Sequence, residues 1–188
     1  MKGGLRILGG TLRGRVLEVA AGVRPSGARL REALFSIWAP RLAGARLLDL
    51  YAGSGAVGLE ALSRGAASAL FVEPDRAARA RLERNLRLIE EGAARVLAQR
   101  SCEALDELAR EGRRFDLLFV DPPYAQEVDA ELFEALGRVA AATASLAVEH
   151  RHGRPPHDAS GGWSEVGERR YGDSVLRFYE LRAADREG

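Results

Sequence analysis

Residues 46 to 62 read as strand, glycine loop and helix, and no other feature of the sequence narrows the possible folds so far. Arg46-Leu47-Leu48-Asp49-Leu50 is an apolar run of strand length. It leads directly into Tyr51-Ala52-Gly53-Ser54-Gly55-Ala56-Val57-Gly58, after which Leu59, Ala61 and Leu62 take up helical spacing. A strand that turns straight into a helix commits the chain to a crossover, with the helix lying on the sheet and returning the chain to a parallel neighbour. The following sequence keeps that rhythm. Strands are expected at 68–73, 94–98, 116–120 and 143–149, and helices from the glycine loop to about 64 and over 75–90, 101–111 and 127–140. The alternation predicts an α/β fold with a mostly parallel sheet and helices on both faces. After a Gly-, Pro- and His-rich loop from His152 to Gly162, the runs Trp163 to Tyr171 and Val175 to Arg182 flank Gly172-Asp173-Ser174 and read as a closing antiparallel hairpin.

Ahead of the first strand, Leu5 to Leu8 and Arg15 to Val19 read as a hairpin joined through Gly9-Gly10 and Gly14. Leu30, Ala33, Leu34, Ile37 and Trp38 then recur at helical spacing, so residues 28–39 form an amphipathic helix that packs on the main domain, with Pro40 limiting its continuation. The organisation expected is an extension over 1–41, a main domain over 42–183 and a frayed tail over 184–188. Net charge is +1, but residues 1–41 carry eight basic and two acidic side chains (+6) against 20 and 25 (−5) in the remainder. All basic residues but Lys2 are arginine, which suits bidentate phosphate contacts and base stacking. The extension therefore reads as a nucleic-acid-contacting arm, with Arg6, Arg13, Arg15, Arg24 and Arg29 as its candidate contacts.

Glycines in the loop after the first strand permit a tight turn and close ligand approach, and the following helix points free N–H groups at that ligand. Glu73 ends the apolar run Ser68 to Val72 and lies 18 residues beyond Gly55, close to the spacing of an acid that binds ribose hydroxyls. Loop and acid together indicate a nucleoside-containing cofactor. Gly53, Gly55 and Gly58 also satisfy the dinucleotide fingerprint, so a nicotinamide-dependent oxidoreductase competes on the loop alone. Asp49 weighs against it, because a carboxylate beside the loop repels a pyrophosphate and attracts an aminoacyl ammonium. S-adenosylmethionine carries the ammonium and no phosphate, and little chain is left over for a second half-sheet or substrate domain.

Asp121-Pro122-Pro123-Tyr124 follows the apolar run Leu117 to Val120. Two prolines end sheet pairing and hold an extended backbone, so the motif presents a carboxylate, a free carbonyl and an aromatic ring on a stiff lip. The carboxylate and carbonyl can accept from an exocyclic amine while the ring stacks on the base. Such an amine is a poor nucleophile, and its alignment for in-line attack on a methyl group contributes more than its deprotonation.

Taken in order, Arg6-Ile7-Leu8-Gly9-Gly10-Thr11-Leu12-Arg13-Gly14-Arg15, Arg24-Pro25-Ser26, Arg29 to Phe35, Asp49 to Gly65 and Asp121 to Tyr124 resemble the RsmD-type small-subunit rRNA guanine-N2 methyltransferases over residues 5 to about 180. The resemblance implies a Rossmann-like methyltransferase with a seven-stranded sheet and an N-terminal hairpin and helix. It implies S-adenosylmethionine as methyl donor, and a guanine of small-subunit (16S) rRNA, free or within an assembled or assembling small subunit, as substrate. It places Asp121, Pro122, Pro123 and Tyr124 at the reacting amine, and Asp49, Tyr51, Ala52, Gly53, Ser54, Gly55, Glu73 and Pro74 around the cofactor. Where family members carry Asp or Asn for the adenine, this chain has Gln99-Arg100-Ser101-Cys102-Glu103, leaving Ser101 and the backbone near Cys102 for that role; Ser26 and Gly27 replace a pair of threonines.

Two rival readings remain: adenine-N6 methylation of DNA, because the same tetrad serves either amine, and a non-catalytic RNA-binding assembly protein. Only 64 residues follow Tyr124, little material for a domain that reads duplex sequence. The chain has no stretch of about 18 apolar residues and no secretory opening, so a soluble cytoplasmic protein without membrane contact is expected. The lone Cys102 permits no internal disulfide and is expected to be partly buried. His150, His152 and His157 are irregularly spaced, predicting an exposed loop rather than a metal site. Oligomeric state leaves no trace, and a monomer is the default.

Overall fold

The computed structural model describes residues 5–20, 26–123 and 127–181. Its elements are β1 (Leu5–Arg6), β2 (Val16–Leu17), α1 (Ser26–Leu42), β3 (Arg46–Leu50), α2 (Ala56–Ser63), β4 (Ser68–Val72), α3 (Arg76–Leu86), β5 (Ala94–Leu97), α4 (Ser101–Arg110), β6 (Phe115–Val120), α5 (Ala130–Val139), β7 (Ala140–Arg151), β8 (Trp163–Tyr171) and β9 (Ser174–Leu181). β1 and β2 pair as the expected antiparallel hairpin, and the remaining seven strands form one sheet in the order β5-β4-β3-β6-β7-β9-β8. β3, β4, β5, β6 and β7 are parallel, whereas β9 runs antiparallel to β7 and β8 antiparallel to β9.

The chain starts at β3, moves outward through β4 and β5, and then returns to place β6 on the other flank of β3. That reversal leaves a crevice beyond the carboxyl ends of β3 and β6, where diverging helices cannot cover the sheet edge. The glycine loop leaves the end of β3 and the Asp-Pro-Pro motif leaves the end of β6, so both sit at the switch point. β9 adds to β7 ahead of β8, which puts the β8–β9 turn beside the same crevice.

The core lies on both faces of the sheet. Leu48, Leu50, Leu118, Val120, Leu146 and Val148 pack against α4 and α5 through Leu105, Leu108, Leu132 and Leu136. The opposite face buries Leu47, Phe71, Leu117, Phe119 and Ala147 with Leu30, Leu34, Phe35 and Trp38 of α1. The extension is thus part of the domain's core, and the expected boundary at 41/42 falls inside the last turn of α1. α1 also runs past Pro40 to Leu42, because a proline so close to a helix end removes little intrahelical bonding. Three other expected boundaries shift. α3 stops at Leu86, α5 begins at Ala130 after its Asp129 cap, and β7 extends from Ala140 to Arg151 because β6 and β9 give it partners on both edges.

The hairpin is seated by a small core of Ile7, Leu17 and Leu59 and by the fully buried carboxylate of Glu60. Glu60 accepts from the backbone N–H groups of Leu8 and Gly9, both at 2.8 Å, and pairs with Arg31 at 3.4 Å and Arg64 at 2.8 Å. Gly10, at φ +76°, lies so close to α2 that a Cβ would stand 1.8 Å from the Ser63 carbonyl oxygen, which accounts for the glycine there.

Candidate functional site

A cavity of about 890 Å³ opens at the switch point. Tyr51, Glu73, Pro74 and Asp75 form one end, Asp121, Pro122 and Pro123 the centre, and Glu149, His150, Arg151, Arg154 and Ser174 the other.

At the first end Glu73 is buried, its Oε2 accepting from the Gly53 N–H and its Oε1 from the Asp75 N–H, each at 2.8 Å. These two bonds fix the carboxylate and leave a lone pair on each oxygen, the arrangement a ribose diol requires. Asp75 caps α3 by accepting from the Ala78 N–H at 2.7 Å, so Pro74 and Asp75 form a rigid shelf beside it. Tyr51 adopts φ +68°, an uncommon conformation for a residue with a side chain, and its hydroxyl lies 2.7 Å from the Ser101 hydroxyl at the start of α4. The glycine loop is packed tightly from behind. A Cβ at Gly58 would stand 2.2 Å from the Phe71 ring, so the third glycine of the fingerprint serves helix-to-sheet packing.

Asp49 does not open on the cavity. It is buried and accepts from the Gly58 N–H at 3.0 Å, holding the first turn of α2. Burial pushes its carboxyl up to about 7, partly opposed by the Gly58 bond and reinforced by the charge of Glu73. Ala52, Gly53, Ser54 and Gly55 likewise shape the loop without lining the cavity. Ser101 is buried and turned to Tyr51, while the Cys102 side chain is exposed and lines a separate groove of about 580 Å³ with Asp106, Glu127 and Asp129. The expectation of a partly buried Cys102 is therefore corrected: at the second position of α4 its side chain points away from the sheet.

Sequence reading missed Glu149. Val120 pairs with Val148, so Asp121, the first residue past β6, lies beside Glu149 of β7, which shares the face of Ala147. Asp49, whose partner in register is Phe119, belongs to the same face, giving a row of carboxyl groups across the ends of β3, β6 and β7. Asp121 is exposed on the cavity side of the strand ends. Burial and then the like charges of Glu149 and Asp49 push its carboxyl well above the usual range, and the like charges alone support that direction however wet the cavity is. Glu149 is raised by burial and partly relieved by a hydrogen bond from the Ser174 side chain. The signal for Glu149 was present in the sequence: like Glu73 and Asp121, it is an acid directly after an apolar run.

His150 also departs from expectation. It lies on β7, half-buried, its Nδ1 3.0 Å from the Arg151 carbonyl oxygen, and burial lowers its pKa. His152 and His157 are exposed as expected. Of the candidate arm contacts, Arg13, Arg15 and Arg29 are exposed, and Arg6 is exposed while donating to the Gly14 carbonyl at 2.8 Å. Tyr124 and Arg24 lie outside the described residues. Arg151 and Arg154 line the far end of the cavity, a basic rim the arm-centred reading omitted. Among the described residues no helix is long and apolar enough to cross a membrane.

A cavity with a ribose-ready acid at one end and the carboxyl groups of Asp121 and Glu149 further along accommodates a nucleoside bearing positive charge and disfavours a pyrophosphate. That arrangement, on this sheet order with its antiparallel final strands, defines a Rossmann-like methyltransferase of the S-adenosylmethionine-dependent fold class. The chain belongs to the RsmD family, matching over residues 5–180 the family described as "Conserved hypothetical protein 95". It is 40% identical over 187 residues to ribosomal RNA small subunit methyltransferase D of Escherichia coli, covering 96% of this chain and 92% of that protein. Its counterpart of the same name in Haemophilus influenzae is 39% identical over 127 residues, 65% of each chain. A solved structure described as "Putative methyltransferase yhhF from Escherichia coli" superposes with a TM-score of 0.82 at 37% identity, covering 96% of this chain and 99% of that one.

Proposed function

We propose that this protein transfers a methyl group to the exocyclic N2 amine of a guanine in small-subunit rRNA. The observation that carries the reading is the placement of Asp121-Pro122-Pro123 at the switch point, across the cavity from the ribose-ready carboxylate of Glu73. S-adenosylmethionine, when bound, supplies an electrophilic methyl on a sulfonium centre. Glu73 holds the ribose hydroxyls, with Pro74 and Asp75 as the shelf beside it. The amino-acid end falls to the loop after β3, of which Tyr51 lines the cavity, and Asp49 acts from beneath by fixing that loop rather than by direct contact.

At the centre, the Asp121 carboxylate and the Pro122 carbonyl accept from the amine, orienting its nitrogen toward the methyl group. Tyr124 stacks on the base once it has left its own stack. As positive charge develops on the nitrogen, Asp121 in its ionised form stabilises it and is the first acceptor for the departing proton. Arg13, Arg15 and Arg29, together with Arg151 at the opposite rim, are the groups available to flanking phosphates. Arg31 is not among them, because it is buried against Glu60.

The test is tritium transfer from labelled S-adenosylmethionine to small subunits, to naked small-subunit rRNA and to duplex DNA, followed by nucleoside analysis. Label in N2-methylguanosine is expected. Label in N6-methyladenine would instead assign the protein to DNA or RNA adenine methylation, and cofactor binding with no transfer to any substrate would favour a binding protein. Asp121→Ala should abolish transfer while leaving cofactor affinity within several-fold; equal loss of both would mean the carboxylate serves the cofactor.

A further inference from the structure

Asp-Pro-Pro-Tyr fits any exocyclic amine, so a guanine-specific enzyme needs a second group that reads what lies beside the amine. The three amino-bearing bases differ there in a simple way. Guanine carries its N2 amine next to the N1–H donor, whereas adenine N6 and cytosine N4 each neighbour a ring nitrogen with an exposed lone pair. An acceptor beside the amine site therefore selects guanine, and a donor selects the others.

We propose that Glu149 is the specificity-determining residue of this site, accepting the guanine N1–H while Asp121 and the Pro122 carbonyl hold the N2 amine. The inference rests on the guanine-N2 reading above and adds the group that enforces it. The register carries the argument. Asp121 leaves β6 directly after Val120, the register partner of Val148, and Glu149 follows Val148 on β7, so the two carboxyl groups stand at neighbouring strand ends. Both residues line the cavity, and the charge of Glu149 is felt at Asp121. N1 and N2 are neighbouring atoms on one base edge, so two carboxyl groups side by side match two donors side by side. Ser174, at the start of β9, lines the same cavity, so its hydroxyl stands on the Glu149 side of the site. Loss of hydration at Glu149 strengthens discrimination, because a lone pair brought against a poorly solvated carboxylate has no water to relieve it.

The experiment compares guanine with 2-aminopurine, which keeps the N2 amine but has a bare lone pair at N1. Small-subunit rRNA carrying either base at the methylated position is made by splinted ligation and reconstituted into subunits, and methyl transfer is followed with tritiated S-adenosylmethionine. Wild-type protein should favour guanine by 100-fold or more in kcat/KM, on the order of what one buried polar mismatch gives. Glu149→Gln can turn its amide to donate to N1, so the guanine to 2-aminopurine ratio should fall at least tenfold while cofactor Kd stays within about threefold. Any intrinsic difference between the two amines cancels in the comparison of ratios.

Glu149→Asp keeps the acceptor at a shorter reach and should lower the rate while retaining most of the preference, which separates recognition from general damage to the fold. A ratio unchanged in Glu149→Gln, with both rates reduced alike, would overturn the assignment. Absence of wild-type transfer to the guanine substrate would instead overturn the guanine-N2 reading, and this inference with it.

Discussion

Asp49→Asn isolates the energetic consequence of burying a carboxyl group behind the cofactor loop. Asp49 is held at about 7 in the folded protein against an ordinary 3.8, so the folded state keeps a proton that the unfolded chain gives up. Because the folded state binds more protons across that window, stability falls as pH rises from near 4 and levels off above about 7. At 1.36 kcal/mol per pKa unit the full penalty is roughly 4 kcal/mol, of which less than half is felt at pH 5 and nearly all at pH 8. Asparagine keeps an oxygen for the Gly58 N–H and does not titrate. Its amide N–H₂ adds an unsatisfied donor costing about 1–3 kcal/mol, but at every pH alike. The stability of Asp49→Asn relative to wild type should therefore rise by roughly 2–3 kcal/mol between pH 5 and pH 8. With a urea m-value of about 2 kcal/mol per M, the difference between their unfolding midpoints should move by about 1 M between the two pH values. A difference constant to within about 0.5 kcal/mol would refute the reasoning, since it would mean Asp49 titrates alike in both states.

Glu73→Gln should weaken S-adenosylmethionine binding about 100-fold by calorimetry, because the amide must turn an N–H₂ group toward the Gly53 or Asp75 N–H and can no longer offer both oxygens to a diol. Asn85→Ala removes the buried amide that bonds the Glu18 N–H and carbonyl and the Ser54 carbonyl, all at 2.8–2.9 Å. It should cost about 2–4 kcal/mol in urea unfolding and loosen the arm and the cofactor loop together, read as faster amide exchange at Glu18 in the variant. Burial and then the charge of Glu149 raise the Asp121 carboxyl, so kcat/KM should climb with pH as that proton is lost. Glu149→Gln removes one of the two charges and should move that rising limb to lower pH; a limb that stays in place would show that the two groups do not interact.

Much of the architecture is legible along the chain because strands and helices obey local periodicities. Each strand from β3 to β6 coincides with an apolar run, and the glycine loop, Glu73 and Asp121 follow directly from where such runs end. Pattern alone also separated the closing antiparallel strands from the parallel series. Boundaries were less legible where partners decide them. β7 lengthens because it is paired on both edges, and α1 extends past Pro40 because the last turn of a helix asks little of the proline nitrogen.

What the sequence by itself determined is the inventory: which segments form strands, where the loop and acids fall, and which amine chemistry the tetrad suits. What only the tertiary structure decided is adjacency. Glu149 stands 28 positions from Asp121 in sequence and beside it in register, Asn85 joins the arm at Glu18 to the loop at Ser54, and Glu60 binds Arg31 and the Gly9 backbone beneath the hairpin. Asp49 and Cys102 show the same division from the other side, since motif position put both near the cofactor while packing turned one inward to cap a helix and the other out to a separate groove. Periodicity is a local property of the backbone, but the distance between two side chains depends on how sheet order and register bring remote segments together.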